Sequence, residues 1–382
     1  MLSPQAAQSS CKMESTINRR INSLNLRRPI YAFLAAFALS LGAHPTAEKP
    51  HGPQEYVTPS HAVVLGEGEN AFELIPGWAS DSQSSYTFGS AHALAEDLAG
   101  NIYLANTSPD HCILVFSPVG ELLKSWGNSC ETAHGLQIVN EGDREVIFLA
   151  DSNGHRIYKT TLDGEILMSL SFPAESGLYK SADTFKPSKT MHLPGGDFFV
   201  IDGYGSDYIH RYDTAGNYLY SFGGDLGEGE AQLQHWGPNG GAIDFTNPDD
   251  LTIILALSDQ QKLKRFTLEG EYLETIPMPG SNPRDIVFHE DKIFIPHLGD
   301  DWPDDRTSPG IITVHNRHTF ELLETLGGRS VSPQTLDSSG GHYRHEDHVF
   351  LHPHGILVSR DGDLYVAQFA SNGTTPLKFK KR

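Results

Sequence analysis

Histidine is the residue type in this chain whose number and spacing could do chemistry. The stretch HYRHEDHVFLHPHG, from His342 to Gly355, places five histidines in fourteen positions. Two more histidines follow alanine residues, as Ala91-His92 and Ala133-His134. Imidazole is a preferred zinc ligand, and a catalytic zinc typically keeps three protein ligands and one open position. Whether these side chains converge depends on the elements that carry them.

Short β-rich runs follow one another after residue 60, separated by Gly, Asp and Asn turns. Examples are NIYLAN, EVIFLAD, DFFVIDG, LTIILALS, KIFIPHL and DLYVAQF. Each belongs to a module of four strands, and self-similar modules of this kind predict a β-propeller. A Pro or Ala followed by one variable residue marks the start of each innermost strand: Ala91-His92, Ala133-His134, Pro187-Ser188, Pro238-Asn239, Pro283-Arg284 and Pro353-His354.

Six starts predict an all-β, six-bladed propeller that forms a single domain over residues 61–382. The last module contains sequence for three strands only. A stretch near the N-terminal end of the domain, from His61 to Ile75, is predicted to supply the fourth. Pairing the first strand with the last blade would close the ring and remove an exposed sheet edge.

Propeller geometry brings two kinds of loop to the same face, at the mouth of the central channel. The loops that enter the innermost strands would place one ring of side chains there: His92, His134, Ser188, Asn239, Arg284 and His354. The loops between second and third strands would add Asp151, Asp202, Tyr204 and Asp259. Cys112 and Cys130 fall on this face in adjacent blades, which favours a disulfide over the alternative of two free thiols.

Three ring histidines, His92, His134 and His354, form the predicted zinc site. The alternative is that these side chains cap the inner strands by hydrogen bonding. His342, His345 and His348 precede the last inner strand, and we expect them to face solvent. The acidic loop from Gly299 to Gly310 is read as solvated rather than as a calcium site.

Composition places the chain among globular proteins and excludes one class of partner. The 382 residues carry a net charge of −20, and nucleic-acid binding needs clustered Lys and Arg. Four arginines precede an apolar run from Ile30 to Ala43, which is typical of a secretory signal. We therefore expect a signal peptide or an uncleaved membrane anchor over 1–43, a linker over 44–60, and an exported, periplasmic or extracellular monomer.

Three stretches resemble a known family. AHGLQI, DGYGSDYIHRYDTAGNYLYSFGG and HPHGILVSRDGDLYVA are similar to NHL-repeat six-bladed propellers, and more narrowly to the peptidyl-α-hydroxyglycine α-amidating lyases and their bacterial relatives. That resemblance implies a lyase that cleaves a C-terminal α-hydroxyglycine to a peptide amide and glyoxylate. It implies a zinc held by three channel histidines, a tyrosine in the DGY motif, nearby arginines and a structural calcium. By motif, His134 and His354 match two zinc ligands and Tyr204 matches the tyrosine.

The sequence departs from the family pattern at several of these positions. The third zinc histidine aligns with Asn239, an expected arginine is Gln260, and the aspartate after the last histidine is Gly355, which weakens the calcium site. The arginine expected in the first blade has no counterpart in ANTSPDHC. We hypothesise that His92 replaces the missing ligand, with His235 as a second candidate. Arg284 would then hold a substrate carboxylate.

Three functions remain open from the sequence. The first is a zinc-dependent lyase or hydrolase acting on a small acid or a peptide terminus, with Tyr204 and Arg284 as catalytic groups and Asn239, Asp202 and Asp259 binding substrate. The second is a non-catalytic propeller that binds a ligand or protein of the cell envelope. A lactonase-like calcium hydrolase ranks last, because the ring contains no carboxylate.

Overall fold

The computed structural model describes residues 60, 62–80, 88–108, 111–128, 130, 132–234, 237–299, 309–328, 349–369 and 375–382. These residues belong to one compact unit, Ala43–Arg382. The predicted signal or anchor over 1–43 and the linker up to residue 59 lie outside the described residues. So do His235, the core of the acidic loop, and the loop histidines His342, His345 and His348.

The described chain is built from β-strands and five short 3-10 helices. Two short strands, β1 (Val64–Leu65) and β2 (Phe72–Leu74), come first. The first two four-stranded sheets are β3 to β6 (Ala91–Glu96, Ile102–Asn106, Ile113–Phe116, Leu122–Trp126) and β7 to β10 (Ala133–Asn140, Glu145–Asp151, Arg156–Thr161, Ile166–Leu170). Among all the residues that the structure describes, no helix is long and apolar enough to cross a membrane.

The remaining strands repeat the same antiparallel order. The third and fourth sheets are β11 to β14 (Lys189–His192, Phe198–Ile201, Tyr208–Tyr212, Tyr218–Gly223) and β15 to β18 (Pro238–Asp244, Thr252–Leu257, Lys262–Thr267, Tyr272–Pro277). The fifth contains β19 to β22 (Val287–His289, Lys292–His297, Ile311–Asn316, Leu322–Leu326). The last strands are β23 to β25 (Pro353–Val358, Leu364–Gln368, Leu377–Lys381), and the 3-10 helices are Gly68–Asn70, Ala174–Ser176, Ala182–Thr184, Gly224–Leu226 and Gly229–Ala231.

The six sheets are the blades of a propeller, which confirms the predicted all-β, six-bladed class. Their inner strands β3, β7, β11, β15, β19 and β23 contact one another in sequence, and β23 contacts β3. The sixth sheet has the order β1-β2-β25-β24-β23, so it contains strands from both ends of the domain. Antiparallel pairing of Phe72 with Lys381 and of Leu74 with Phe379 joins them.

Apolar side chains fill the space between neighbouring blades. Six buried clusters occur among the described residues, one for each pair of adjacent blades. Strands in the middle of a blade are covered on both faces, and β4, β12, β16, β20 and β24 are buried along their whole length. This explains why they read as continuous apolar runs, whereas the partly exposed outer strands β6 and β10 mix polar and apolar residues.

Most inner strands begin where the sequence predicts. The strands β3, β7, β15 and β23 start at Ala91, Ala133, Pro238 and Pro353. The third starts at Lys189, two residues after Pro187, and the fifth starts at Val287, four residues after Pro283. In the fifth blade Pro283 forms an isolated bridge with His297, and the chain leaves the ladder before regular pairing resumes.

A disulfide joins Cys112, just before β5, to Cys130, just before β7. The two Cα atoms are 6.2 Å apart, within the usual range for a disulfide. The bond therefore ties the first blade to the segment that leads into Ala133-His134. Gly127 lies against it, and a Cβ at this position would meet the Cys112 sulfur at 2.5 Å.

Removing this disulfide is expected to destabilise the propeller. The cysteines are 18 residues apart, and a loop of this size corresponds to about 3 kcal/mol of unfolding free energy in the chain-entropy model. Equilibrium denaturant unfolding of a Cys112→Ser, Cys130→Ser protein should show that loss. Reductant should shift the wild type to the same midpoint and leave the variant unchanged. Equal midpoints for oxidised wild type and variant would contradict the expectation.

Candidate metal centre

A central cavity of about 980 Å³ runs along the inner strands. Its lining includes all six side chains that the sequence places in the channel ring: His92, His134, Ser188, Asn239, Arg284 and His354. All six are buried, with relative exposures of 5% or less. The ring is therefore a set of enclosed groups at one end of the channel, because each stands at or near the start of its inner strand.

Three histidines of the ring meet in one cluster. One nitrogen from each of His92, His134 and His354 lies within 4.8 Å of the other two. The ring centroids are 4.7 to 5.0 Å apart. Phe369 packs against His92 and His354, with centroids at 5.2 and 5.7 Å, and forms an apolar wall. The nitrogens of His92 and His134 are thus close enough to share an ion after small side-chain movements.

In alternate blades the channel residue is held by the same interaction, a hydrogen bond to a backbone carbonyl of the next blade. His134 Nδ1 bonds the Ser188 carbonyl at 2.8 Å, and His354 Nδ1 bonds the His92 carbonyl at 3.0 Å. A glycine follows each histidine, and a Cβ there would come within 2.3 Å of the same carbonyl oxygens. Glycine therefore lets neighbouring inner strands approach until the imidazole spans the gap. This close approach also leaves no room for an aspartate at Gly355, the position where the family resemblance expects a calcium ligand.

Two of the three histidines, His134 and His354, cap the next strand through Nδ1, as the hydrogen-bonding alternative expects. The Nε2 atoms face the channel, and His354 Nε2 is buried with no hydrogen-bond partner among the described residues. Zinc ligands commonly have one imidazole nitrogen fixed by a carbonyl and the other bound to metal.

Tyr204 lies at the edge of this cluster. Its hydroxyl is 2.8 Å from His134 Nε2, and the two rings meet edge to face with centroids 4.9 Å apart. The loop that carries it follows β12, and its backbone amide donates to the Lys186 carbonyl at 3.2 Å. Burial raises the pKa of Tyr204, while the positive charge of Arg284 opposes that shift.

Asn239 takes the place that a third alternate-blade histidine would occupy. Its amide satisfies both of its atoms when the nitrogen donates to the Arg284 carbonyl at 3.0 Å and the oxygen accepts from the Arg284 guanidinium at 3.1 Å. The same oxygen contacts the Tyr204 hydroxyl. Asn239 thus keeps the link to the next blade and adds a link between Tyr204 and Arg284.

The Tyr204 hydroxyl has a single hydrogen but two neighbouring atoms that could accept it. His134 uses its Nδ1 hydrogen on Ser188, so its Nε2 must accept if the ring is neutral. The Tyr204 hydroxyl then faces two acceptors, His134 Nε2 and the Asn239 oxygen, with a single hydrogen. A cation bound to His134 Nε2 would release the hydroxyl to Asn239 and satisfy every group. The residues present therefore fit a metal ion.

Burial keeps these imidazoles in the form that binds metals. Burial, together with the charges of Arg284 and Lys189, lowers the pKa of His134 to about 4. Burial also places the pKa of His354 well below its usual value, with His134, His92 and Arg284 adding to the effect. Neutral imidazole is the ligand form, so no proton has to leave these two side chains before binding at neutral pH.

Arg284 is a buried charge that has no acidic partner among the described residues. Burial lowers its pKa, and its Nε has no hydrogen-bond partner within the described part of the chain. The adjacent carboxylate, Asp285, is already paired with Lys189, and both of these side chains line the same cavity. A buried guanidinium is stable only when paired, so this side of the channel favours an anion.

Two residues that the sequence predicts to bind substrate, Asp202 and Asp259, lie outside the cavity lining. The Asp202 carboxylate is fully buried and accepts from the backbone amides of Lys186 at 2.6 Å and Ser206 at 2.8 Å. Asp259 is exposed. Neither lines the cavity, so their role in substrate binding remains a prediction without support from the geometry.

The Lys189–Asp285 pair was not anticipated from the sequence. Each of the two residues directly follows a ring position, Ser188 or Arg284, and this adjacency was the available signal.

Comparison with known proteins supports the propeller fold and finds a partial similarity to NHL repeat-containing proteins. The NHL repeat-containing protein 3 of mouse is 26% identical to this chain over 141 residues, which is 35% of this chain and 40% of the mouse protein. The human protein of the same name is 25% identical over the same length. The match thus spans about two fifths of these relatives, and no family model matches the chain.

This chain is a six-bladed propeller, and over 141 residues it is similar to NHL repeat-containing protein 3. A gluconolactonase from Xanthomonas campestris superposes with a TM-score of 0.54 at 12% identity, over 87% of this chain and 97% of that protein. Kuenenia stuttgartiensis hydrazine synthase gives 0.50 at 13% identity, over 77% and 97%. At this level of identity the likeness shows the fold alone.

The propeller is expected to lose stability as pH falls below about 6.5. Burial lowers the pKa of four histidines outside the three-histidine cluster to about 3 or 4: His192, His210, His297 and His315. Below the ordinary histidine pKa the unfolded chain binds these protons and the folded chain does not, so the free energy of unfolding decreases. Two aspartates, Asp202 and Asp207, act in the opposite sense because burial raises each pKa to about 7.

Denaturant unfolding at a series of pH values between 7 and 4 measures this effect. His297 bonds the Ser281 carbonyl and the Thr313 hydroxyl, and a His297→Gln variant removes its titration while keeping hydrogen-bonding groups. The variant should show a shallower fall of unfolding free energy with acid. Parallel curves for the two proteins would mean that His297 is not neutral in the folded state.

Proposed function

We propose that this propeller is a metal-dependent lyase that acts on a small anionic substrate at the histidine end of the channel. The observation that carries the proposal is the placement of the Tyr204 hydroxyl. It contacts a candidate metal ligand, His134, and is linked through Asn239 to the buried guanidinium of Arg284. A proton-transfer group, a metal cluster and an anion-binding group therefore share one enclosed space.

His92, His134 and His354 would hold the metal, and zinc suits three imidazoles with an open position. Zinc bound there would polarise a substrate oxygen and favour loss of its proton. Arg284 would pair with a substrate carboxylate, since its charge lacks an acidic partner among the described residues. Tyr204 would accept and return a proton.

The proposed reaction is cleavage of the carbon–nitrogen bond of a substrate that carries a hydroxyl and a carboxylate on one carbon. The charge of Arg284, together with a zinc ion held by the three histidines, would favour the ionised form of Tyr204, with its proton released to solvent. That phenolate would take the hydroxyl proton, and the oxygen electrons would form a carbonyl. The bond to nitrogen would break with its electron pair moving to nitrogen, and Tyr204 would return the proton there. An α-hydroxyglycine peptide terminus has this chemistry, and its products are an amide and glyoxylate.

Export of the protein is part of the proposal. The disulfide between Cys112 and Cys130 favours an oxidising compartment, and the N-terminal basic and apolar sequence is typical of a secretory signal. We expect a monomer with no nucleic-acid partner, and a membrane attachment only where the N-terminal segment is retained.

A non-catalytic ligand-binding propeller is the second candidate, and one observation favours it. Asn239 occupies the third position of the alternate-blade set and already has hydrogen-bond partners. A channel that lacks the third imidazole would still bind an anion through Arg284. A calcium-dependent lactonase is not proposed, because no carboxylate stands in the ring.

Metal content is the first test of the lyase. The purified mature protein is expected to retain about one zinc per chain after dialysis, as a three-histidine site predicts. His354→Ala should abolish retention, whereas His318→Ala, at an exposed turn, should leave it unchanged. Elemental analysis measures all three proteins. Absence of zinc from the wild type, or equal zinc in the variants, contradicts the site and leaves the ligand-binding alternative.

Restoring the third alternate-blade imidazole tests the role of His92. In the native chain, His92→Ala should abolish zinc retention. Asn239→His adds a ligand opposite His134 and His354, and should raise zinc affinity by about tenfold or more. In that background His92→Ala should be tolerated. Competition with a chromophoric chelator measures each affinity. If His92→Ala lowers zinc retention equally in both backgrounds, a histidine at position 239 does not substitute for His92, and the proposed role of His92 is wrong.

A further inference from the structure

A chain of hydrogen bonds lies behind the Tyr204 loop and is not used by the proposed function. It joins side chains of the third blade and the segment before it. Its links are Tyr218 hydroxyl to Ser221 hydroxyl at 2.9 Å, Ser221 to His210 Nδ1 at 2.7 Å, His210 Nε2 to Tyr179 hydroxyl at 2.6 Å, and Tyr179 to Asp202 Oδ2 at 2.6 Å. His210 and Asp202 are fully buried.

The direction of these bonds follows from the number of hydrogens. Above the raised pKa of Asp202, about 7, its carboxylate is ionised and accepts the single hydrogen of Tyr179, so the Tyr179 oxygen must accept from His210 Nε2–H. Burial lowers the pKa of His210 to about 3, so the ring is neutral and its Nδ1 accepts from Ser221. Every donor therefore points toward Asp202, and such chains strengthen each link by polarisation.

Asp202 fixes the loop that carries Tyr204 at both ends. One carboxylate oxygen accepts from the Lys186 amide, and the other accepts from the Ser206 amide. The Lys186 carbonyl in turn accepts from the Tyr204 amide, and the Asp202 carbonyl accepts from the Asp207 amide. The backbone on either side of Tyr204 is thus held to one buried carboxylate.

Part of this arrangement recurs in the second blade. Asp151 accepts from the amides of Thr132 at 2.9 Å and Gly154 at 3.1 Å, at the equivalent place in the second blade. A carboxylate therefore holds the equivalent loop in two blades, the second and the third. In the third blade the carboxylate also accepts from Tyr179, and there the loop carries the residue that contacts His134.

We propose that Tyr179 and His210 are positioning residues that act through Asp202 to hold the Tyr204 hydroxyl against His134 and the Asn239–Arg284 pair. The proposal deepens the lyase assignment and rests on it for its catalytic consequence. Without the Tyr179 hydroxyl, Asp202 loses a donor and His210 Nε2–H loses its acceptor. A buried carboxylate with a missing donor is costly, and the loop it holds would relax.

The test variant is Tyr179→Phe, which keeps the ring packed on Phe172 and Phe185. The matched control is Tyr212→Phe on β13 of the same blade. Tyr212 is also buried, and its hydroxyl has no hydrogen-bond partner among the described residues. Ser221→Ala removes the donor to His210 and provides a second variant at the other end of the chain of hydrogen bonds.

Glyoxylate release from a hydroxyglycine peptide gives the catalytic readout. Tyr179→Phe should lower kcat by about tenfold, as expected for loss of one hydrogen bond to a charged group, and leave KM unchanged. It should cause no further loss in a Tyr204→Phe background, because its effect passes through Tyr204. Ser221→Ala should show a smaller loss of the same kind, and Tyr212→Phe none. Additive losses with Tyr204→Phe would overturn the proposal.

Hydrogen exchange of the same proteins separates this proposal from the lyase assignment. Amides of residues 203–207 should exchange several-fold faster in Tyr179→Phe than in Tyr212→Phe or the wild type, while amides of β12 are unchanged. If the wild type releases no glyoxylate but the three proteins show this exchange pattern, the lyase assignment is contradicted and the positioning role is supported. Equal exchange at residues 203–207 in all proteins overturns the positioning role, whatever the activity.

Discussion

The close approach of neighbouring inner strands is the constraint on which the channel depends. In the second and sixth blades a glycine after the channel histidine removes the Cβ that would strike the next strand, and the imidazole Nδ1 then reaches that strand's carbonyl. One contact therefore packs two blades and fixes the ring orientation. Because Nδ1 is engaged, only Nε2 remains for the channel. The same backbone feature that tightens the propeller thus leaves inward-facing imidazole nitrogens, which are the proposed metal ligands.

Burial then determines the charge of the site. An enclosed imidazole resists protonation, and Arg284 and Lys189 oppose it further at His134. The positive charge of the channel resides on Arg284, since Lys189 is paired with Asp285. Neutral imidazoles on one side, and on the other a guanidinium with no carboxylate partner among the described residues, suit a small molecule that has a neutral donor oxygen and a carboxylate. This division of charge would be lost in an open, solvated funnel.

The sequence predicts the architecture well because strand repetition is a one-dimensional signal. Six modules with aligned starts give six blades, and the alignment places His92, His134, Ser188, Asn239, Arg284 and His354 on one ring. Relations between side chains of different blades do not follow from that alignment. Asp202 illustrates the limit, since its loop position suggests a ligand-facing carboxylate, whereas the amides around it and Tyr179 turn it inward. The Lys189–Asp285 pair was missed because neither strand alone indicates a partner two blades away.

Asn239 shows how the site can depart from the family pattern without losing its framework. An asparagine can donate to the next strand's carbonyl as a histidine does, so the packing contact between blades is kept. What changes is the group presented to the channel, which becomes an oxygen acceptor in place of a nitrogen lone pair. That oxygen accepts from Arg284 and contacts the Tyr204 hydroxyl, so it links the proposed proton-transfer group to the proposed anion-binding group. In the proposed metal site the third ligand would come from the side of the ring nearest the two remaining histidines, where His92 stands.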